Sequence, residues 1–109
     1  EPPDSPEARI LFDADKLDAI GAVGVARAVA YAAGCGQPVY ASPSARFLAT
    51  GRTEPGEPHS AYHEYLFKLR HIRSRLYTQS GQALAVERHA FLEAFFSRLA
   101  EEVAGQVEV

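Results

Sequence analysis

Apolar positions recur at helical spacing along most of this chain, and no stretch shows a convincing two-residue alternation of a strand. Four helices follow from the pattern. The first runs from about Pro6 to about Ala19. Ser5 suits an N-cap, Pro6 the first turn, and Glu7 the positive end of the helix dipole. At about 100° per residue, Ile10, Leu11, Ala14 and Leu17 share one face. Asp18 falls within that face and Asp15 at its edge. Asp13 falls elsewhere, beside Arg9 and Lys16, where it reads as a surface ion pair with Arg9. The second helix, from about Ile20 to about Ala33, is apolar all round and reads as a buried central helix. Arg27 is its one charge, so it must reach solvent or a carboxylate, with Asp15 and Asp18 nearest in sequence.

Residues 37–58 read as a long loop, rich in Pro and Gly, with a short turn near Pro43–Leu48. A third helix runs from about Ser60 to Tyr77, with Tyr62, Tyr65, Leu66, Leu69, Ile72 and Leu76 on one face. Phe67 points away from that face and hints at a second packing surface. Thr78 or Ser80 caps a fourth helix reaching about Ala104, and Gly105 ends it. Residues 1–4 read as a linker and residues 105–109 as a fraying tail, so the chain is one all-α unit or part of one.

Composition narrows the classes. Hydrophobic residues are 47% of 109, enough for a core. A net charge of −3 gives no whole-chain case for nucleic acid or an anionic membrane. The single cysteine, Cys35, forms no intrachain disulfide, reads as a buried or loop thiol, and suits a reducing cytoplasm. No apolar run reaches the roughly 18 residues of a membrane span. There is no methionine.

Asp15 and Asp18 are the candidate chemistry. Such a pair is either an ion-pair partner of Arg27 or part of a hard-cation site, and one or two aspartates need further ligands. His59, His63, His71 and His89 form no His-Asp or His-Glu-x-x-His pattern and read as surface or helix-packing residues. Gly21-Ala22-Val23-Gly24 follows a helix and lacks the Lys-Ser/Thr of a phosphate loop. Lys68, Arg70, His71, Arg73 and Arg75 are either a solvated face or an anion site. Arg73 lies nearest the apolar face.

The run Asp13-Ala14-Asp15-Lys16-Leu17-Asp18-Ala19-Ile20-Gly21-Ala22-Val23-Gly24-Val25-Ala26-Arg27 resembles the DADRLDAIGAIGIAR signature of a bacterial branch of HD-domain metal-dependent phosphohydrolases. Glu64, Lys68-Leu69, Thr78, Gly81, Glu87-Arg88-His89, Phe91 and Phe95-Phe96 continue the likeness. The resemblance implies an HD-like helical bundle and a divalent metal (Mn, Mg, Ni, Fe or Co) held by a His…His-Asp…Asp set. It implies hydrolysis of phosphate esters or nucleotide pyrophosphate bonds. By that motif Asp15 is the metal ligand, and Asp18, Arg27 and Lys16 are supporting residues; from the basic cluster, Lys68 and Arg73 are the candidates for binding a phosphorylated small molecule or nucleotide. The family's first His and its His-Asp pair have no counterpart here, so the resemblance makes residues 1–109 the C-terminal part of such a domain. Another segment or another chain must complete the centre, and alone the chain is expected to be inactive. The rival expectation is a non-catalytic helical interaction module that pairs with itself through its apolar surplus.

Overall fold

A computed structural model describes residues 2–106, and every element in it is helical. Helix α1 is Pro6–Leu17, α2 is Gly21–Gly34, α3 is Ala45–Thr50, α4 is Ala61–Phe67 and α5 is Gln79–Gln106, with a 3₁₀ segment at Leu69–Arg75 before α5. The all-α expectation holds. Among the described residues no single helix is long and apolar enough to cross a membrane.

The caps follow the sequence closely. The Ser5 hydroxyl accepts from Ala8 N–H at 3.1 Å and starts α1 at Pro6. Ser60 caps α4 by accepting from His63 N–H at 3.1 Å. Thr78 Oγ1 accepts from Gly81 N–H at 2.9 Å at the start of α5. Gly21 takes φ +75°, open to glycine without strain, and the chain bends by 65° between α1 and α2.

Three elements depart from the periodicity. The third predicted helix is broken at Lys68, whose backbone (φ −129°, ψ −54°) leaves the helical region, and the rest tightens into the 3₁₀ segment. The turn expected near Pro43–Leu48 is a six-residue helix, α3, capped by the Ser44 hydroxyl accepting from Phe47 N–H at 3.0 Å. The last helix continues through Gly105 to Gln106, because one exposed glycine costs only about 1 kcal/mol and does not by itself end a helix. The rest of the expected tail, and Glu1 of the linker, lie outside the described residues.

The core is built on α5. Its Ala85, Leu92 and Phe96 are fully buried and meet Ile20, Val25 and Ala32 from the α2 side and Leu69, Ile72 and Leu76 from the 3₁₀ side. Tyr65 of α4 stacks on Phe96 with centroids 4.7 Å apart. Helix α2 is not buried all round. Only Gly21, Gly24, Val25 and Ala32 are covered, because α2 packs on α5 and α4 by one face. Gly24 sits against the Ala19 backbone, with no room for a Cβ. Val23 and Tyr31 are exposed on the other faces.

The long connection is ordered by one carboxylate. Glu57 accepts from Ser44 N–H at 2.9 Å, from Glu54 N–H at 2.7 Å and from His63 Nε2 at 2.8 Å. The hydrogen bonds from Ser44, which outweigh desolvation, and those from His63 and the Glu54 amide hold its carboxyl down at about 2. His63 is fully buried, within 2.7 Å of Ser60 Oγ through Nδ1, and under the ring of Phe47 at 4.5 Å. This bears out the helix-packing reading of His63. Phe67 does point away from the main core, half-exposed against Gly51 and Phe47.

Candidate functional site

An open cleft of about 660 Å³ is bounded by the end of α1, one face of α2, the segment 59–61, α4 and the 3₁₀ segment. Its apolar floor includes Ala28, Leu69 and Ile72. Its charged rim carries Asp15, Lys16, Arg27, Glu64 and Lys68. Arg27 and Lys16 come from successive helices joined by the bend at Gly21, so the sharp turn is what brings them to one opening.

The three aspartates sit differently from the helical wheel. Asp13 is 2% exposed. Its Oδ2 accepts from Thr78 N–H and from the Thr78 hydroxyl, both at 2.7 Å, and its Oδ1 accepts from Tyr77 N–H at 3.0 Å. Burial pushes its carboxyl up, but the hydrogen bonds from the Thr78 hydroxyl and the Tyr77 and Thr78 amides outweigh that and leave it below the usual value. The expected ion pair with Arg9 is absent, and the Arg9 guanidinium instead lies 6.0 Å from the Tyr77 ring centre. Asp15 and Asp18, expected to point inward, are both exposed, and the Asp15 side chain is 79% exposed. The physical reason is that α1 docks on α5 through Asp13 and Leu17, the only residues it buries. Of the predicted apolar face Ile10, Leu11, Ala14 and Leu17, only Leu17 is buried and the other three are left exposed. A wheel ranks residues by polarity, but here a buried carboxylate wins because three N–H and O–H donors meet it.

Other placements follow. Lys16 Nζ stands 4.0 Å from Asp15 Oδ2. Arg27 does reach Asp18, but Nη1 donates to its backbone carbonyl at 3.2 Å rather than to its carboxylate. Lys68 lines the cleft, whereas Arg73 is exposed and outside its lining. Tyr31, His59 and Glu64 also line the cleft. His59 Nε2 is 3.1 Å from Glu64 Oε1. Periodicity gave no sign of Tyr31 or His59, because the loop that delivers His59 is placed by Gln37, whose side-chain oxygen accepts from His59 N–H at 3.2 Å. Cys35, exposed at the end of α2, also lines the cleft beside Tyr31, and its hydrogen bond and charge raise the Tyr31 phenol above its ordinary value.

Among the described residues no three His, Cys, Asp or Glu side chains lie close enough to hold a metal ion. Asp15 offers one carboxylate beside a lysine, which does not by itself fit a divalent centre.

This all-helical arrangement has solved counterparts. A crystal structure of an HD-superfamily hydrolase from Bacillus thuringiensis superposes with a TM-score of 0.70 at 26% identity, over 92% of this chain and 47% of that one. A protein of Bacillus subtilis described as uncharacterized, YpgQ, is 35% identical over 103 residues, 94% of this chain and 43% of the relative. Its crystal structure in complex with ADP superposes with a TM-score of 0.73 at 33% identity, covering 92% of this chain and 45% of that chain. The chain thus spans less than half the length of these relatives. No family model matches it.

Proposed function

We propose that this chain forms one wall of the active-site cleft of an HD-type metal-dependent phosphohydrolase acting on a phosphate ester or a nucleotide pyrophosphate bond. The observation that carries the reading is the cleft itself, where the exposed carboxylate of Asp15 stands at an opening rimmed by Lys16, Arg27 and Lys68 above an apolar floor. Three cations against the two carboxylates of Asp15 and Glu64 suit a polyanionic ligand, with Arg27 and Lys68 neutralising phosphate oxygens. The likeness to an HD-superfamily hydrolase and to a relative crystallised with ADP supports a nucleotide as the class of ligand.

In this reading Asp15 is one metal ligand, and the histidines that complete the centre come from another segment or another chain. Asp18 and Arg27 form the hydrogen-bonded corner that holds the α1–α2 bend at the cleft. The whole protein is proposed to be cytoplasmic.

A second reading is favoured by the absence of any metal-holding cluster among the described residues together with exposed apolar side chains on α1 and α5. It makes the chain a non-catalytic helical module that associates with itself. One experiment separates the two. The longest natural polypeptide containing this chain is purified, and its bound Mn, Ni and Fe and its hydrolysis of a nucleoside triphosphate are measured for wild type and Asp15→Ala. Loss of metal and activity in the variant supports the enzyme; equal metal occupancy refutes Asp15 as a ligand. A melt unmoved by Mn²⁺, with dimers in sedimentation, supports the module.

A further inference from the structure

We propose that Asp13 is a positioning residue: its buried carboxylate bolts α1 to Tyr77 and Thr78 at the entry to α5 and so fixes where Asp15 stands at the cleft. The chemical consequence rests on the reading of the cleft given above; the mechanical part does not. Helix α1 buries only Asp13 and Leu17, so no broad apolar seam holds it. Beside the Leu17 side chain in the core and the Phe12–Tyr77 contact, it is fastened at two polar points one turn apart on one face. At the first, Asp13 collects donors from Tyr77 and Thr78, more than sixty residues away in sequence. At the second, Arg88 Nη1 donates to the Leu17 carbonyl at 3.1 Å. Two residues along a helix is about 200° of rotation, so the face that anchors through Asp13 necessarily turns Asp15 to the opposite side. The Asp15 carboxylate therefore has no contact of its own with α5 to hold it, and its place is inherited from Asp13.

Removing the Asp13 charge leaves α1 held by Leu17, by the Arg88 hydrogen bond to the Leu17 carbonyl and by the edge-on contact between Phe12 and Tyr77. The helix then rocks about the bend at Gly21, and the α1 side of the cleft loses a single position.

The test reads that position directly. In a Cys35→Ser background, Lys16→Cys and Lys68→Cys carry spin labels on opposite sides of the cleft, and their separation is measured by pulsed dipolar spectroscopy. Wild type gives one narrow distance peak. Asp13→Asn is expected to lose it to a broad distribution while helix content by circular dichroism is kept. Thr78→Val removes the hydroxyl, both as donor to Asp13 and as acceptor from Gly81 N–H at the start of α5, while the Tyr77 and Thr78 amide donors stay; it gives the same broadening to a smaller extent and decides the matter where Asp13→Asn does not fold. Leu92→Ala, a buried residue remote from this joint, lowers the melting temperature without broadening the peak, which separates positioning from general destabilisation. A peak as narrow in Asp13→Asn and Thr78→Val as in wild type overturns the proposal. If Asp15→Ala leaves metal occupancy of the longer polypeptide unchanged, the ligand reading fails alone, and the distances still decide the role of Asp13.

Discussion

Gly81→Ala sets two well-understood effects against each other. Gly81 lies in the first turn of α5, where replacing glycine by alanine normally stabilises by about 0.5–1 kcal/mol through chain entropy. Here a Cβ would lie 2.5 Å from Asp13 Oδ2 and 2.9 Å from Thr78 Oγ1. Neither atom is the free end of a flexible chain, since the carboxylate is buried and held at 2.7 Å by both Thr78 donors. Making room means moving it and giving up at least one hydrogen bond to a charged group, about 1.5–3 kcal/mol. The clash wins, and the net expectation is a loss of about 1–2 kcal/mol, or roughly 4–16 °C in melting temperature for a domain of this size. Urea and thermal unfolding followed by circular dichroism measure it. Gly34→Ala, where nothing lies within 4 Å of the added methyl, is the matched control and is expected to be neutral or stabilising. In an Asp13→Ala background the penalty of Gly81→Ala should shrink, because the nearer obstructing atom is gone and only Thr78 Oγ1, at 2.9 Å, remains in the way. A Gly81→Ala protein as stable as Gly34→Ala would refute the account of the α1–α5 joint.

Two further outcomes follow from the same contacts. Glu57 is held down at about 2 against an ordinary value of 4.5, so it binds a proton more readily unfolded than folded. Its contribution is therefore present above about pH 4.5 and lost as pH falls toward 2, and Asp13 acts in the same direction. Melting temperatures from pH 7 to 2.5 should fall for wild type and fall less steeply for Glu57→Gln, which starts lower at neutral pH; parallel curves would contradict the clamp. Phe96→Ala empties the space between Tyr65 and Phe95, whose rings lie 4.7 and 5.1 Å away, and should cost about 3–5 kcal/mol in denaturant unfolding.

Local sequence was enough for the all-α class, the cap at Ser5, the helix start near Ser60, the start of α5 near Thr78 and the break between the first two helices near Ile20, because each depends on a few adjacent residues whose hydrogen bonds close locally. It also singled out the Asp13–Arg27 run, and with it two helices that frame the cleft. What it could not decide was direction. Whether an aspartate faces in or out depends on what donors arrive from elsewhere, and the donors to Asp13 come from Tyr77 and Thr78. No periodicity within α1 contains that information, so the wheel assigned Asp13 to the surface and Asp15 to the interior, the reverse of the fold. The long loop was illegible for the same reason: Ser44, Glu54, Glu57 and His63 have no common period, and only their meeting at one carboxylate shows that the segment is clamped. Short-range chemistry fixed which elements form; long-range hydrogen bonds, with partners that pattern cannot pair, decided which face of α1 was left to build the cleft.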